Sequence, residues 1–181
     1  MRKYFIFFLV LSVFAFREAI AQNMEEIKSL SLSGYRIGQT FIVSGAEELE
    51  DAVGDSNVFP IVAQFGWQFE RQFPAGEGGL AAIVEVVPLL GGFNLGLIIP
   101  SVTFIVGIRT GAGYELGAGP VISLGGSKDD PKLSSGFVFA GGLTKRYGKL
   151  NIPFNFAIAQ TKTGGAAKSS VRLTLLTGFT L

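Results

Sequence analysis

The chain has no cysteine, no histidine and a single tryptophan among 181 residues, and only 16% of its residues are charged. Each shortage closes off a class of explanation. Without cysteine there is no disulfide framework, so stability must come from hydrogen bonds and packing. Without histidine or cysteine there is no zinc site of the usual donor type. The net charge is +1 and no basic tract stands out, which argues against nucleic acid as a partner.

Glycine (25 residues) and phenylalanine (17) are plentiful, and the apolar residues fall in a pattern. In Ser170–Leu181 (SVRLTLLTGFTL), one parity holds Val171, Leu173, Leu175, Thr177, Phe179 and Leu181. The other holds Ser170, Arg172, Thr174, Leu176, Gly178 and Thr180. A period of two with one apolar side is the pattern of a strand buried on one face. The clearest case is Phe59–Phe73, where Ile61, Ala63, Phe65, Trp67 and Phe69 alternate with Gln64, Gly66, Gln68, Glu70 and Gln72. Repeated along the chain, this pattern gives more apolar surface than a small interior can absorb. A closed barrel with its apolar side turned outward into lipid accommodates it. The fold class expected is all-β: an eight-stranded antiparallel up-and-down transmembrane β-barrel.

The remaining strands are expected at Gly34–Val43, Gly79–Leu89, Leu97–Arg109, Tyr114–Leu124, Gly136–Tyr147 and Leu150–Gln160. Val86–Ile108 carries no charge and is long enough for a membrane helix. Pro88, Gly91-Gly92, Asn94, Gly96 and Pro100 punctuate it, so two strands fit better. Long polar connections after the first, fifth and seventh strands contrast with short ones after the second, fourth and sixth. That alternation suits long outer loops and short periplasmic turns, although the third connection is short where a long one is expected. Pro60, Pro88, Pro100, Pro120 and Pro153 fall inside these strands, where each removes a ladder donor. Bulges, or strand ends lying elsewhere, are expected there.

Three segments divide the chain. Residues 1–21 read as a signal peptide, with basic Arg2-Lys3, an apolar run Tyr4–Phe16 and the small-x-small site Ala19-Ile20-Ala21. Residues 22–33 form a periplasmic N-terminal arm, and residues 34–181 the barrel. The location expected is the outer membrane of a Gram-negative-type envelope.

The strand sequences IIPSVTFIVGIR, GYELGAGPVISLGG, KLNIPFNFAIA and VRLTLLTGF resemble a group of small, functionally uncharacterised outer-membrane β-barrel proteins of the OmpA-like barrel class. The likeness runs from about Phe59 to Leu181. It implies a fold and a location but no reaction. Members of that class usually end on an aromatic residue, whereas this chain ends Phe179-Thr180-Leu181.

Outer-membrane barrel enzymes generally use histidine as base, and this chain has none to offer. No Ser-x-x-Lys pair is set on one inward face either. The expectation is therefore no catalytic residue, no cofactor and no metal. The inward parity instead collects charges: Arg36, Glu70, Glu85, Arg109, Glu115, Arg146 and Arg172. They can form an ion-selective constriction or a salt-bridged filling. An eight-stranded lumen is only wide enough for side chains, which favours the filling. Tyr35, Phe73, Tyr114, Tyr147 and Phe179 fall at the periplasmic strand ends as an aromatic girdle. Glu47, Glu48, Glu50, Asp51 and Asp55 crowd the first long loop without the ligand spacing of a calcium loop, so they read as a solvated acidic loop. Gly111-Ala112-Gly113 lacks the lysine and helix of a phosphate loop and reads as a turn.

The function expected is that of a monomeric structural or surface-interaction barrel in outer-membrane lipid, with an extracellular or envelope partner met through its loops. The alternatives are a narrow diffusion channel and a soluble periplasmic binding barrel. The latter would have an apolar lumen and a wet exterior.

Overall fold

The computed structural model describes residues 29–75, 78–126, 131–164 and 168–181. The signal peptide, most of the N-terminal arm and parts of three connections (76–77, 127–130 and 165–167) lie outside the described residues. Eight strands follow one another: β1 (Leu30–Ser44), β2 (Ile61–Pro74), β3 (Ala81–Gly91), β4 (Ile99–Arg109), β5 (Tyr114–Gly126), β6 (Pro131–Tyr147), β7 (Leu150–Thr163) and β8 (Lys168–Gly178). Each pairs antiparallel with the next, and β8 pairs back onto β1. The fold is thus a closed, eight-stranded, all-antiparallel up-and-down β-barrel. A short helix α1 (Glu47–Val53) stands in the first connection, and a 3-10 turn (Phe93–Leu95) in the third.

Side-chain parity gives the wall its two faces. Phe65, Trp67, Phe69, Val102, Phe104, Val106, Phe137, Phe139, Phe154 and Phe156 are exposed on the outside. Their neighbours one residue away turn inward: Gln68 and Glu70 on β2, Ile105 on β4, Val138 on β6. The exterior is apolar, the reverse of what a soluble barrel carrier requires. No helix among the described residues is long and apolar enough to cross a membrane, and Val86–Ile108 forms most of β3 and β4.

The start of β1, the last residues of the chain and three short turns share one end of the barrel, here termed the turn end. α1 and the other connections share the opposite, loop end. β1 begins at Leu30, so Leu30–Ser33 belong to the wall and not to the arm; Leu30 pairs with Gln72. The extension closes the barrel near its end, because Ser33 N–H donates to the Leu181 carbonyl at 3.1 Å and Leu181 N–H donates to Ser33 at 3.0 Å.

The prolines are accommodated without the bulges expected of them. Pro60 lies just ahead of β2, its strand end having moved to Ile61. Pro88, Pro120 and Pro153 stay inside strands, and each pairs fully on one side: Pro88 with Val102, Pro120 with Phe137, Pro153 with Thr144. On the other side the ladder is interrupted and resumes in the same register. The breaks lie between Gly66↔Leu89 and Phe69↔Val86, between Thr103↔Val121 and Val106↔Ala118, and between Phe154↔Thr177 and Asn151↔Thr180. A missing donor interrupts two residue pairs of the ladder, and the pairs on either side hold the register. The register shift between Ile42 and Ser44, on the β1–β8 ladder, involves no proline.

Candidate functional site

Lumen-facing residues near the turn end form one connected cluster. Arg109, the last residue of β4, stands at its centre. Its guanidinium donates to both oxygens of Glu70, at 2.9 Å to Oε2, and through Nε to Glu115 Oε1 at 3.0 Å. Glu85 Oε1 lies 3.9 Å from the same guanidinium. Glu70 also accepts from Gln68 Nε2 (2.8 Å) and Gln72 Nε2 (2.6 Å). Gln68 Oε1 in turn accepts from Arg36. On the far side Glu115 accepts from Thr144 Oγ1 and from Asn155 Nδ2 (3.4 Å). The chain of contacts from Arg36 to Asn155 therefore crosses the lumen and touches every strand from β1 to β7.

Burial explains why these groups must find one another. Arg36, Gln68, Glu70, Glu85, Arg109 and Glu115 are all buried. An ionised side chain out of water is tolerated only when paired and hydrogen-bonded. The cluster sets three carboxylates against two guanidiniums, and Arg109 bridges the carboxylates because its planar fork serves several acceptors at once.

The sequence-derived set divides in three. Arg36, Glu70, Glu85, Arg109 and Glu115 come together in the cluster. Arg172 faces the lumen but nearer the loop end, donating to Ser123 Oγ (3.2 Å) and Ser170 Oγ (3.4 Å). Arg146 is not part of the lumen at all. It is exposed beside the β6–β7 hairpin, its Nε donating to the Gly148 carbonyl at 3.1 Å. Its parity is inward, but it sits one residue from the end of β6, where there is no enclosed lumen left to face. Gln68, Gln72, Thr144 and Asn155 also belong to the cluster. Their inward parity was readable, but as neutral residues they carried no charge signal.

Of the aromatic set, Phe73, Tyr114 and Tyr147 lie next to the turns, and Tyr114, Tyr147 and Phe179 are exposed. Tyr35 lies further along β1, with ring centroids 6.4 Å from both Phe65 and Phe179. The acidic first loop is partly a structural plug: α1 buries Leu49, and Glu48 accepts from Thr163 Oγ1 at 2.7 Å.

Between cluster and helix the lumen is hollow, with a cavity of about 160 Å³. Arg36, Gln68 and Glu85 line its floor, and Leu49 and Ala52 of α1 cover it at the loop end. Among the described residues no group of acidic side chains is arranged to hold a metal ion.

These features define a small closed barrel with an apolar exterior, a charged cluster across its lumen near one end and a cavity toward the other. The chain is similar to the crystal structure of Ail, the attachment invasion locus protein of Yersinia pestis. Identity is 12%, covering 84% of this chain and 97% of that one, with a TM-score of 0.47. A second structure of Ail, in complex with the heparin analogue sucrose octasulfate, is similar at 12% identity over the same shares, with a TM-score of 0.41. No family model and no curated protein matches the chain.

Proposed function

We propose that the chain is exported by residues 1–21 and works as an integral outer-membrane barrel, structural or meeting an envelope partner through its loop end, without catalysis. The continuous apolar exterior carries this reading, because lipid is the solvent that such a surface requires. Fractionation of cells tests it. The protein should stay in the outer-membrane pellet through carbonate and high-salt washes. Recovery in the soluble periplasmic fraction would favour the soluble carrier and end the proposal.

The barrel is a poor conductor in this reading. Support comes from the Arg109 cluster, which spans the lumen from β1 to β7 and leaves no charge lining an open path at that level. Pure protein in a planar bilayer should show no sustained single-channel steps, and Arg109→Ala should introduce them. Reproducible steps from the unaltered protein would instead favour a narrow channel.

A further inference from the structure

The cavity between the cluster and α1 is lined by apolar and polar side chains together. Val62, Val87, Leu89, Ile105 and Val138 supply apolar surface from β2, β3, β4 and β6. Ser123, Ser134, Thr161 and Arg172 place polar groups on β5 through β8. Four buried side-chain atoms among the described residues have no hydrogen-bond partner: Arg36 Nη1, Gln64 Nε2, Glu85 Oε1 and Thr161 Oγ1. All four residues line this cavity, and Arg36 and Thr161 are each only 1% exposed. Buried polar atoms are seldom left unsatisfied, so their concentration around one space points to an occupant.

Arg172 tells the kind of occupant. Among the described residues its guanidinium donates only to hydroxyl groups, those of Ser123 and Ser170, and it forms no ion pair within 4.0 Å. Glu48, the carboxylate that α1 brings to this end, accepts from Thr163 Oγ1 and acts on Arg172 only at longer range than an ion pair. At the floor, by contrast, the carboxyl groups of Glu70, Glu85 and Glu115 already lie beside Arg36 and Arg109 and compete with any incoming anion, which leaves Arg172 as the cation open to one. Predominantly apolar pockets with a few convergent polar groups are the usual form of small-molecule sites.

We propose that the cavity binds a small organic carboxylate, its carboxylate on Arg172 and Ser123 and its apolar body against Val62, Val87, Leu89, Ile105 and Val138. A cavity of comparable size in another protein takes up benzene, which sets the body at roughly six to eight carbons. The site is separate from the Arg109 cluster and does not require conduction through it.

The test uses the full barrel in lipid nanodiscs with labelled methyl groups, titrated with phenylacetate and with its neutral analogue 2-phenylethanol. Phenylacetate should shift the Val87, Leu89 and Ile105 methyls saturably while leaving the outward methyls of Ile122 and Leu175 unchanged. The neutral analogue, lacking the carboxylate that pairs with the guanidinium, should bind about tenfold or more weakly. Arg172→Gln should weaken phenylacetate by a similar factor and leave 2-phenylethanol unaffected. Equal affinity of the two probes for the unaltered protein would overturn the proposal, and that comparison needs no variant to fold. Shifts confined to outward methyls would show partition into lipid only, and no saturable shift at all would mean a hydrated cavity; either result also overturns it.

Discussion

The two halves of the lumen are built on the same wall and the same alternation, yet one carries a charged cluster across it and the other a cavity. At the turn end the inward residues are Arg36, Gln68, Glu70, Glu85, Arg109 and Glu115, long enough to meet across the axis. Toward the loop end they are Val138, Ala140, Ala157, Ala159, Ser123 and Thr161, which stop near the wall. Eight strands fix a diameter that side chains can just fill. Whether they do fill it depends on their reach, level by level.

The comparison is broken most severely at Arg109. Arg109→Ala leaves Glu70, Glu85 and Glu115 buried without their shared cation and should destabilise the barrel by about 3–5 kcal/mol. Urea unfolding followed by gel mobility measures this, and a loss under about 1 kcal/mol would show that the turn end is not held by charge. Next is the exterior that both halves share. Trp67, in the middle of β2 and 42% exposed, should be quenched by lipid-attached quenchers and not by aqueous iodide. Trp67→Arg should cost about 2–4 kcal/mol if this exterior meets the bilayer core.

Smaller effects sharpen the contrast. Leu49→Ala removes the buried residue of α1 over the hollow half and should cost about 2 kcal/mol, at the low end for a buried leucine because cavity already lies beneath it. Hydrogen exchange should then rise in α1 and at Ser123 and Ser134 while the Arg109 cluster stays protected. A rise shared equally by both ends would make the two halves one cooperative unit. Arg146→Ala should change stability by no more than about 0.5 kcal/mol, since the side chain is exposed and bonds only its own hairpin.

Much of this was legible in the sequence, because a period of two assigns a face to every strand residue. Phe65, Trp67 and Phe69 against Gln68 and Glu70 could be read from the letters alone. Parity gives the face but not the height. Arg36, Arg109, Arg146 and Arg172 share the inward parity, and only strand register shows that two join the cluster, one lines the cavity and one lies outside. Nor do inward glycines mark the hollow half: a Cβ on Gly119 would lie 1.9 Å from the Phe104 carbonyl oxygen, so that position serves close backbone approach. The space comes instead from short alanines and valines higher in the barrel. Leu49 gave no warning, lying among the four acidic residues of the stretch EELEDAV.

The closing ladder between β1 and β8 differs from all the others in how it must form. Every other ladder joins strands adjacent in the chain, so each can zip up locally as a hairpin. The last must bring together residues as distant as Arg36 and Gly178, and such long-range contacts pay their loop entropy before they gain anything. It is also the ladder with a register shift, at Ile42/Ser44, and the one reinforced beyond the strands by the Ser33–Leu181 and Tyr35–Phe179 backbone bonds. A curved sheet with two open edges is therefore the natural precursor of this barrel. Its seam is where folding finishes, and where a damaged barrel would first come apart.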